Sequence, residues 1–209
     1  MADVNDPSRR ARARRTRRGI VQAAHAELVE HGYHGATIAA IARRAGVATQ
    51  TVYFVFHTKA ELAGSVIDAA VLGPDPTVPQ DSTWWAEMRS APTAHQALHT
   101  FVIGAAPLLA RAAAVSEVVR AAALTDPEVR AIHQQHHNLQ ASGYREVVDT
   151  VATRSPLRDG LTPETATDVL LTLCGDRSYV QLTTDGGWTH DQVVEWLIDV
   201  TPLLLLPPR

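Results

Sequence analysis

Within the stretch GVATQTVYFVFHTKAEL, residues 46–62, the side chains of Thr49, Gln50, Thr51 and Tyr53 can all hydrogen-bond and none is negative. An amide such as Gln50 can pair bidentately with adenine, and short hydroxyls can reach either base edges or phosphates. The Tyr53 hydroxyl suits a phosphate oxygen. Lys59, the only lysine of the chain, follows six residues later. It falls in the first turn of the next helix, where free backbone N–H groups and the helix dipole also favour an anion. The chemistry on offer is polyanion binding with base reading. Thr49, Gln50 and Thr51 would read bases, while Tyr53 and Lys59 would grip phosphates and set the register.

Two short helices must position these groups. The first, with Ile38, Ile41, Ala42 and Ala45 facing inward, is opened by Thr37 as N-cap and stopped by Gly46, which supplies the positive φ of a tight turn. The second runs from about Ala48 to Phe54, with Val52 and Phe56 as core pegs. Residues 38–55 therefore read as a helix-turn-helix, whose second helix would enter the major groove. Upstream, a helix is expected from Thr16, carrying Ile20, Ala24 and Leu28, with Gly32 as its C-terminal cap. Downstream, Thr58-Lys59-Ala60-Glu61 reads as a capping box opening a further helix, which Gly73-Pro74-Asp75-Pro76 ends.

Charge supports this division. Residues 1–64 carry ten Lys/Arg against five Asp/Glu, whereas residues 65–209 carry nine against seventeen. Such a split points to a nucleic-acid partner for the first part alone. Seven arginines lie between Arg9 and Arg18. By composition residues 1–15 read as a disordered arm that adds salt-dependent affinity through counterion release or minor-groove insertion.

The segment 17–66, and GYHGATIAAIARRAGVATQTVYFVFHTKAEL within it, closely resembles the DNA-binding domain of the tetracycline-repressor (TetR) family of bacterial regulators. The glycine-aromatic turn, the threonine, the IA..AGV helix and the T.Y..F..K..L ending carry the likeness. The resemblance implies a phosphate contact from Thr37, so the DNA-facing set is Thr37, Ala48, Thr49, Gln50, Thr51, Tyr53 and Lys59. Phe54 and Val55 stand where the family often has histidine or tyrosine, and His57 where proline or glycine is common. Phe54 has no group with which to hydrogen-bond a phosphate.

The rest of the chain shows no strand pattern. It reads as helices over about 93–110, bent at Pro107, then 112–124, 127–153, 163–184 and 191–206. The fold expected is all-α, with about nine helices: residues 1–15 as the arm, 16–64 as a three-helix DNA-binding domain and 65–209 as a helical domain for ligand and dimer. By resemblance, the helices spanning 163–206 make a homodimeric four-helix bundle. They carry Val169, Leu170 and Leu173 on one, with Val193, Val194, Leu197, Val200 and Leu204 on the other. The remaining helices would enclose a small-molecule effector, with Trp84, Trp85, Met88, His99, Phe101, His137 and Tyr144 as candidate contacts.

Other classes have less support. His95/His99 and His133/His137 each sit at i, i+4, so a metal-responsive regulator is an alternative, although no carboxylate or cysteine completes a ligand set. No nucleophile elbow or phosphate-binding glycine loop is present, and the one thiol, Cys174, lies among leucines, where thiols are usually inert. Neither an enzyme nor a cofactor is expected. A non-specific architectural DNA binder is the other alternative. The first eighteen residues are polar and arginine-rich, unlike a signal peptide. The apolar run Phe101–Ala110 is ten residues, short of the roughly 20 that span a bilayer. The reading is a cytoplasmic, sequence-specific regulator, a repressor released from a palindromic operator by a ligand.

Overall fold

The computed structural model describes residues 7–73 and 77–208. Among them there is no strand, and the helices are α1 (Pro7–Gly35), α2 (Ile38–Ala45), α3 (Thr49–Phe56), α4 (Lys59–Leu72), α5 (Thr83–Ser90), α6 (Ala94–Ala122), α7 (Pro127–Ala152), α8 (Pro163–Leu173), α9 (Asp176–Val180) and α10 (His190–Leu205). A 3-10 turn covers Pro79–Asp81 and a π-turn Gln181–Asp185. The all-helical fold is as expected.

The chain divides into two compact units. The first holds the chain up to Ala69 together with Val118–His133, and the second holds Ala70–Glu117 together with the chain from Gln134 onward. In the first, Ile20, Ala24 and Leu28 of α1, Ile41 and Ala42 of α2, Val52 and Phe56 of α3, and Leu62 and Val66 of α4 are buried. The core of the second is built from Trp85, Met88, Leu98, Phe101, Tyr144, Val147, Val148, Leu170, Val193 and Leu197, among others.

Several elements depart from the sequence expectation. Helix α1 begins at Pro7 rather than Thr16, so residues 7–15 are helical and the described part of the arm is not disordered. Alanine and arginine are good helix formers, and composition alone hid this. Gly32 does interrupt α1, at φ 68° and ψ 172°. Helix α5 forms where the sequence pattern placed no helix, between residue 76 and about residue 93. Ser82 Oγ accepts the Trp85 N–H and so caps it, while the neighbouring proline and serine masked an eight-residue helix. Helix α6 is one continuous element where two, over about 93–110 with a bend at Pro107 and over 112–124, were expected. Pro107 and Ile103, whose carbonyl loses its partner, are both exposed, so the missing bond faces water. The helix expected over 163–184 breaks after Leu173. A Cβ at Gly175 would lie 2.3 Å from the Leu171 carbonyl oxygen, so the close turn there requires glycine. The segment 74–76, part of the expected stop for α4, lies outside the described residues.

Candidate nucleic-acid interface

The geometry of α2 and α3 starts with their caps. Thr37 Oγ1 accepts the Ala40 N–H at 3.1 Å and opens α2, yet its hydroxyl proton stays available to a phosphate. At the far end Gly46 adopts φ 67°, and the N–H groups of Gly46 and Val47 close back on Arg43 and Ala42. This turn aims α3 across α2. Arg44 fixes α2 to α1 from the side: its Nε lies 2.8 Å from the Glu27 carboxylate and its Nη1 2.8 Å from Glu30.

Val52 and Phe56 bury one side of α3 almost completely, and this settles which side faces out. Ala48, Thr49, Gln50, Tyr53 and Phe54 are exposed, and Thr51 is half-buried. Each expected recognition residue is thus at least partly accessible. No acidic residue lies anywhere between Thr37 and His57. Phe54, which lacks a phosphate-binding group, is itself accessible. It is 84% exposed, next to the half-exposed Tyr53 in the chain. A phenylalanine where a histidine or tyrosine is usual loses a hydrogen-bonding group and keeps an apolar face.

Lys59 is placed differently from a free clamp. Its Nζ donates to the carbonyls of Tyr33 at 2.6 Å and Ala36 at 3.0 Å, and it sits 4.2 Å above the Tyr33 ring. One of its three N–H groups remains for another acceptor. Burial pulls the ammonium below the ordinary lysine value, with Asp126 opposing that shift. Burial also pushes the Tyr33 hydroxyl up to about 12, helped by Asp126 and Glu128. Lysine at this position ties the start of α4 to the turn between α1 and α2. Thr58 Oγ1 does cap α4 by accepting the Glu61 N–H. Glu61 itself turns to His57, at 3.1 Å, instead of completing the expected box.

Residues 20–66 match the family model of bacterial regulatory proteins, tetR family. The segment is a tetR-family DNA-binding domain. Among curated proteins none matches the chain significantly. Solved structures share the fold over nearly the whole length. NalD of Pseudomonas aeruginosa, the secondary repressor of the MexAB-OprM multidrug efflux pump, is 21% identical with a TM-score of 0.69, covering 93% of this chain and 97% of that one. A Saccharomonospora viridis regulator in complex with choline is 21% identical with a TM-score of 0.70, covering 92% and 98%. FadR of Bacillus subtilis in complex with stearoyl-CoA is 18% identical with a TM-score of 0.67, covering 87% and 97%.

Outside the tetR-family domain, five of the seven expected ligand contacts come together. Trp84 stacks edge-on against Trp85, with centroids 5.2 Å apart, and lies 6.5 Å from Phe101, which in turn meets Tyr144 at 5.1 Å. Trp85 and Met88 are buried in the same core. His99 and His137 are exposed. A groove of about 420 Å³ opens beside Trp84, between Val71, Leu72, Pro79, Leu108 and Arg111. Trp84 lies flat over Gly104, where a Cβ would come within 2.2 Å of the indole. Beneath it, the Trp85 Nε1 donates to Glu146 at 3.0 Å, and Arg89 pairs with the same carboxylate. These two partners hold Glu146 below its ordinary value. Tyr144 donates to the Cys174 carbonyl at 2.7 Å, and burial pushes the Cys174 thiol up to about 12, where it is a poor nucleophile at neutral pH. No group of three His, Cys, Asp or Glu that could hold a metal occurs among the described residues.

The two terminal helices divide their apolar residues between two faces. Leu170, Val193 and Leu197 are buried, while Val169, Leu173, Val194 and Val200 stay half-buried and Leu203 and Leu204 are exposed. Helix α6 is long and apolar enough to cross a membrane by length and composition. Its Leu98, Phe101, Val102, Ala105 and Leu109 belong to the core of the second unit.

Proposed function

We propose that the chain is a homodimeric, sequence-specific repressor that leaves a palindromic operator when a small molecule binds its second unit. The observation that carries this reading is the outer surface of α3. Thr49, Gln50 and Tyr53 are exposed while Val52 and Phe56 of the same helix are buried in the first unit, and no acidic residue between Thr37 and His57 opposes a duplex. Thr49, Gln50 and Thr51 read base edges from the N-terminal half of α3, with Ala48 small enough to let the backbone approach. Thr37 and Tyr53 donate to phosphates. Lys59 contributes chiefly by locking the start of α4, and its remaining N–H serves the phosphate that this helix end attracts. Phe54, which can only make apolar contacts, meets a thymine methyl or a sugar.

The half-buried outer residues of α8 and α10 support dimerisation through these helices, since a second copy would cover them. A ligand-responsive second unit is supported by the related folds that hold choline and stearoyl-CoA. In this chain the aromatic group around Trp84 and its groove is the effector region. The residues connecting reader and sensor are continuous in sequence, because α4, α6 and α7 each run from one unit into the other. Selection of duplexes from a random pool tests the proposal. A palindrome with two half-sites about 34–36 Å apart supports it, and recovery of unrelated sequences overturns it.

A further inference from the structure

The N-terminal end of α1 does nothing for the core, yet it is the most highly charged part of the chain. Residues 10–15 are exposed on every side, and the family match begins only at residue 20. Arg12, Arg14, Arg15 and Arg18 are exposed. They repeat at spacings of three and four, so like charges are neighbours on the helix surface, which is destabilising. The first turn contains no acid to satisfy the helix dipole. An isolated helix of this length is marginal in water even without such repulsion. A partner dense in negative charge removes all these penalties at once.

Arg17 shows where that partner lies. Its guanidinium donates to the Val55 carbonyl at 3.4 Å and to Ser65 Oγ at 3.0 Å, and sits 4.3 Å from the centre of the Phe56 ring. The base of the arginine helix is therefore pinned to the C-terminal end of α3. From there about ten residues of helix extend roughly 15 Å, or some four to five base pairs along a duplex at 3.4 Å per step.

Building on the DNA-binding reading above, we infer that Ser8–Arg18 is a second duplex-binding element. As a rigid helix it meets the phosphate backbone flanking the half-site, without entering the minor groove or reading bases. Arg17 is its positioning residue. Arg12, Arg14 and Arg15 supply the charge.

The test compares the full-length dimer with its R12Q/R14Q/R15Q variant, which alters only exposed side chains. A matching thermal melt shows that the fold is retained. Two duplexes are used, the selected operator core alone and the core with about ten added base pairs on each side. On the flanked duplex the variant's salt slope should fall by about 2.7, because each lost phosphate contact removes roughly 0.9. The wild-type advantage should then shrink about 40-fold between 50 and 200 mM salt. On the bare core the two proteins should converge, and the variant should select the same motif. Equal salt slopes, an equal loss on both duplexes, or an altered base preference would each overturn the inference. If the wild type selects no operator, the proposed function fails first. The salt slopes on random-sequence duplex then decide this inference by themselves.

Discussion

Gln50 is the side chain from which base discrimination is expected, because it is exposed on α3 and is the one amide there. Gln50→Ala should cost about 1–3 kcal/mol at one base pair of each half-site and relax preference there; an unchanged selected motif would move the reading elsewhere on α3. Lys59 illustrates a limit of sequence. Its type and its place beside a helix N-terminus were legible, but the carbonyls of Tyr33 and Ala36 that hold its ammonium come from over twenty residues away. No local pattern encodes that meeting. Two hydrogen bonds from a charged group are each worth about 1.5–3 kcal/mol. Lys59→Met should therefore lower the thermal midpoint of the first unit as well as weaken all duplexes alike. Lost binding at an unchanged midpoint would return Lys59 to a pure phosphate clamp. Phe54→His, which restores a hydrogen-bonding group, should lower preference at any thymine that Phe54 contacts while strengthening binding overall, as titrations on matched duplexes would show.

At the scale of elements, caps were the legible part. Thr37, Gly46 and Thr58 each act where the sequence places them, because a cap is a local contest between a side chain and free backbone groups. Capping also explains why α8 and α10 start sharply, at Thr162 and Thr189. Continuity was less legible. Pro107 sits inside α6 because its cost falls on a water-facing carbonyl, and burial cannot be read from one residue. Gly46→Val would force a β-branched side chain to φ 67°, costing about 1–3 kcal/mol and tilting α3. Duplex affinity should drop more than thermal stability does, and a variant with intact affinity would refute the role of this turn. Helix α5, absent from the sequence reading, is tied to α7 by the contacts of Trp85 and Arg89 with Glu146. The carboxyl of Glu146 lies below its ordinary value of 4.5 because Arg89 and the Trp85 indole favour the charged form. Stability from this group is complete above about pH 4.5 and is lost as pH falls through the depressed folded value. Glu146→Gln should therefore lie below wild type in stability at neutral pH and approach it in acid, measured by denaturant midpoints against pH. A gap that stays constant with pH would contradict the assignment.

At the scale of the whole molecule, the proposed function joins a duplex reader to a ligand sensor through a dimer. The outer apolar residues of α8 and α10 were readable as a repeat, but only burial separates the core-facing Leu197 from the outward Leu204. Leu203→Asp with Leu204→Asp places charge on the outer face. The pair should yield monomers in sedimentation and lose most operator affinity; a dimer that persists would place the interface elsewhere. Effector coupling carries a thermodynamic constraint. A ligand releases DNA only by preferring the state that binds DNA poorly, and operator must then weaken that ligand by the same factor. All of this depends on α3 reading sequence. Selection of duplexes from a random pool by the full-length protein, at a fixed salt near 150 mM, measures that most directly. One enriched palindrome is expected, bound at least about 10³-fold more tightly than random duplex, with its preference changed at one position in Gln50→Ala. Equal affinity for every duplex would contradict it and leave a basic protein that coats DNA without reading it.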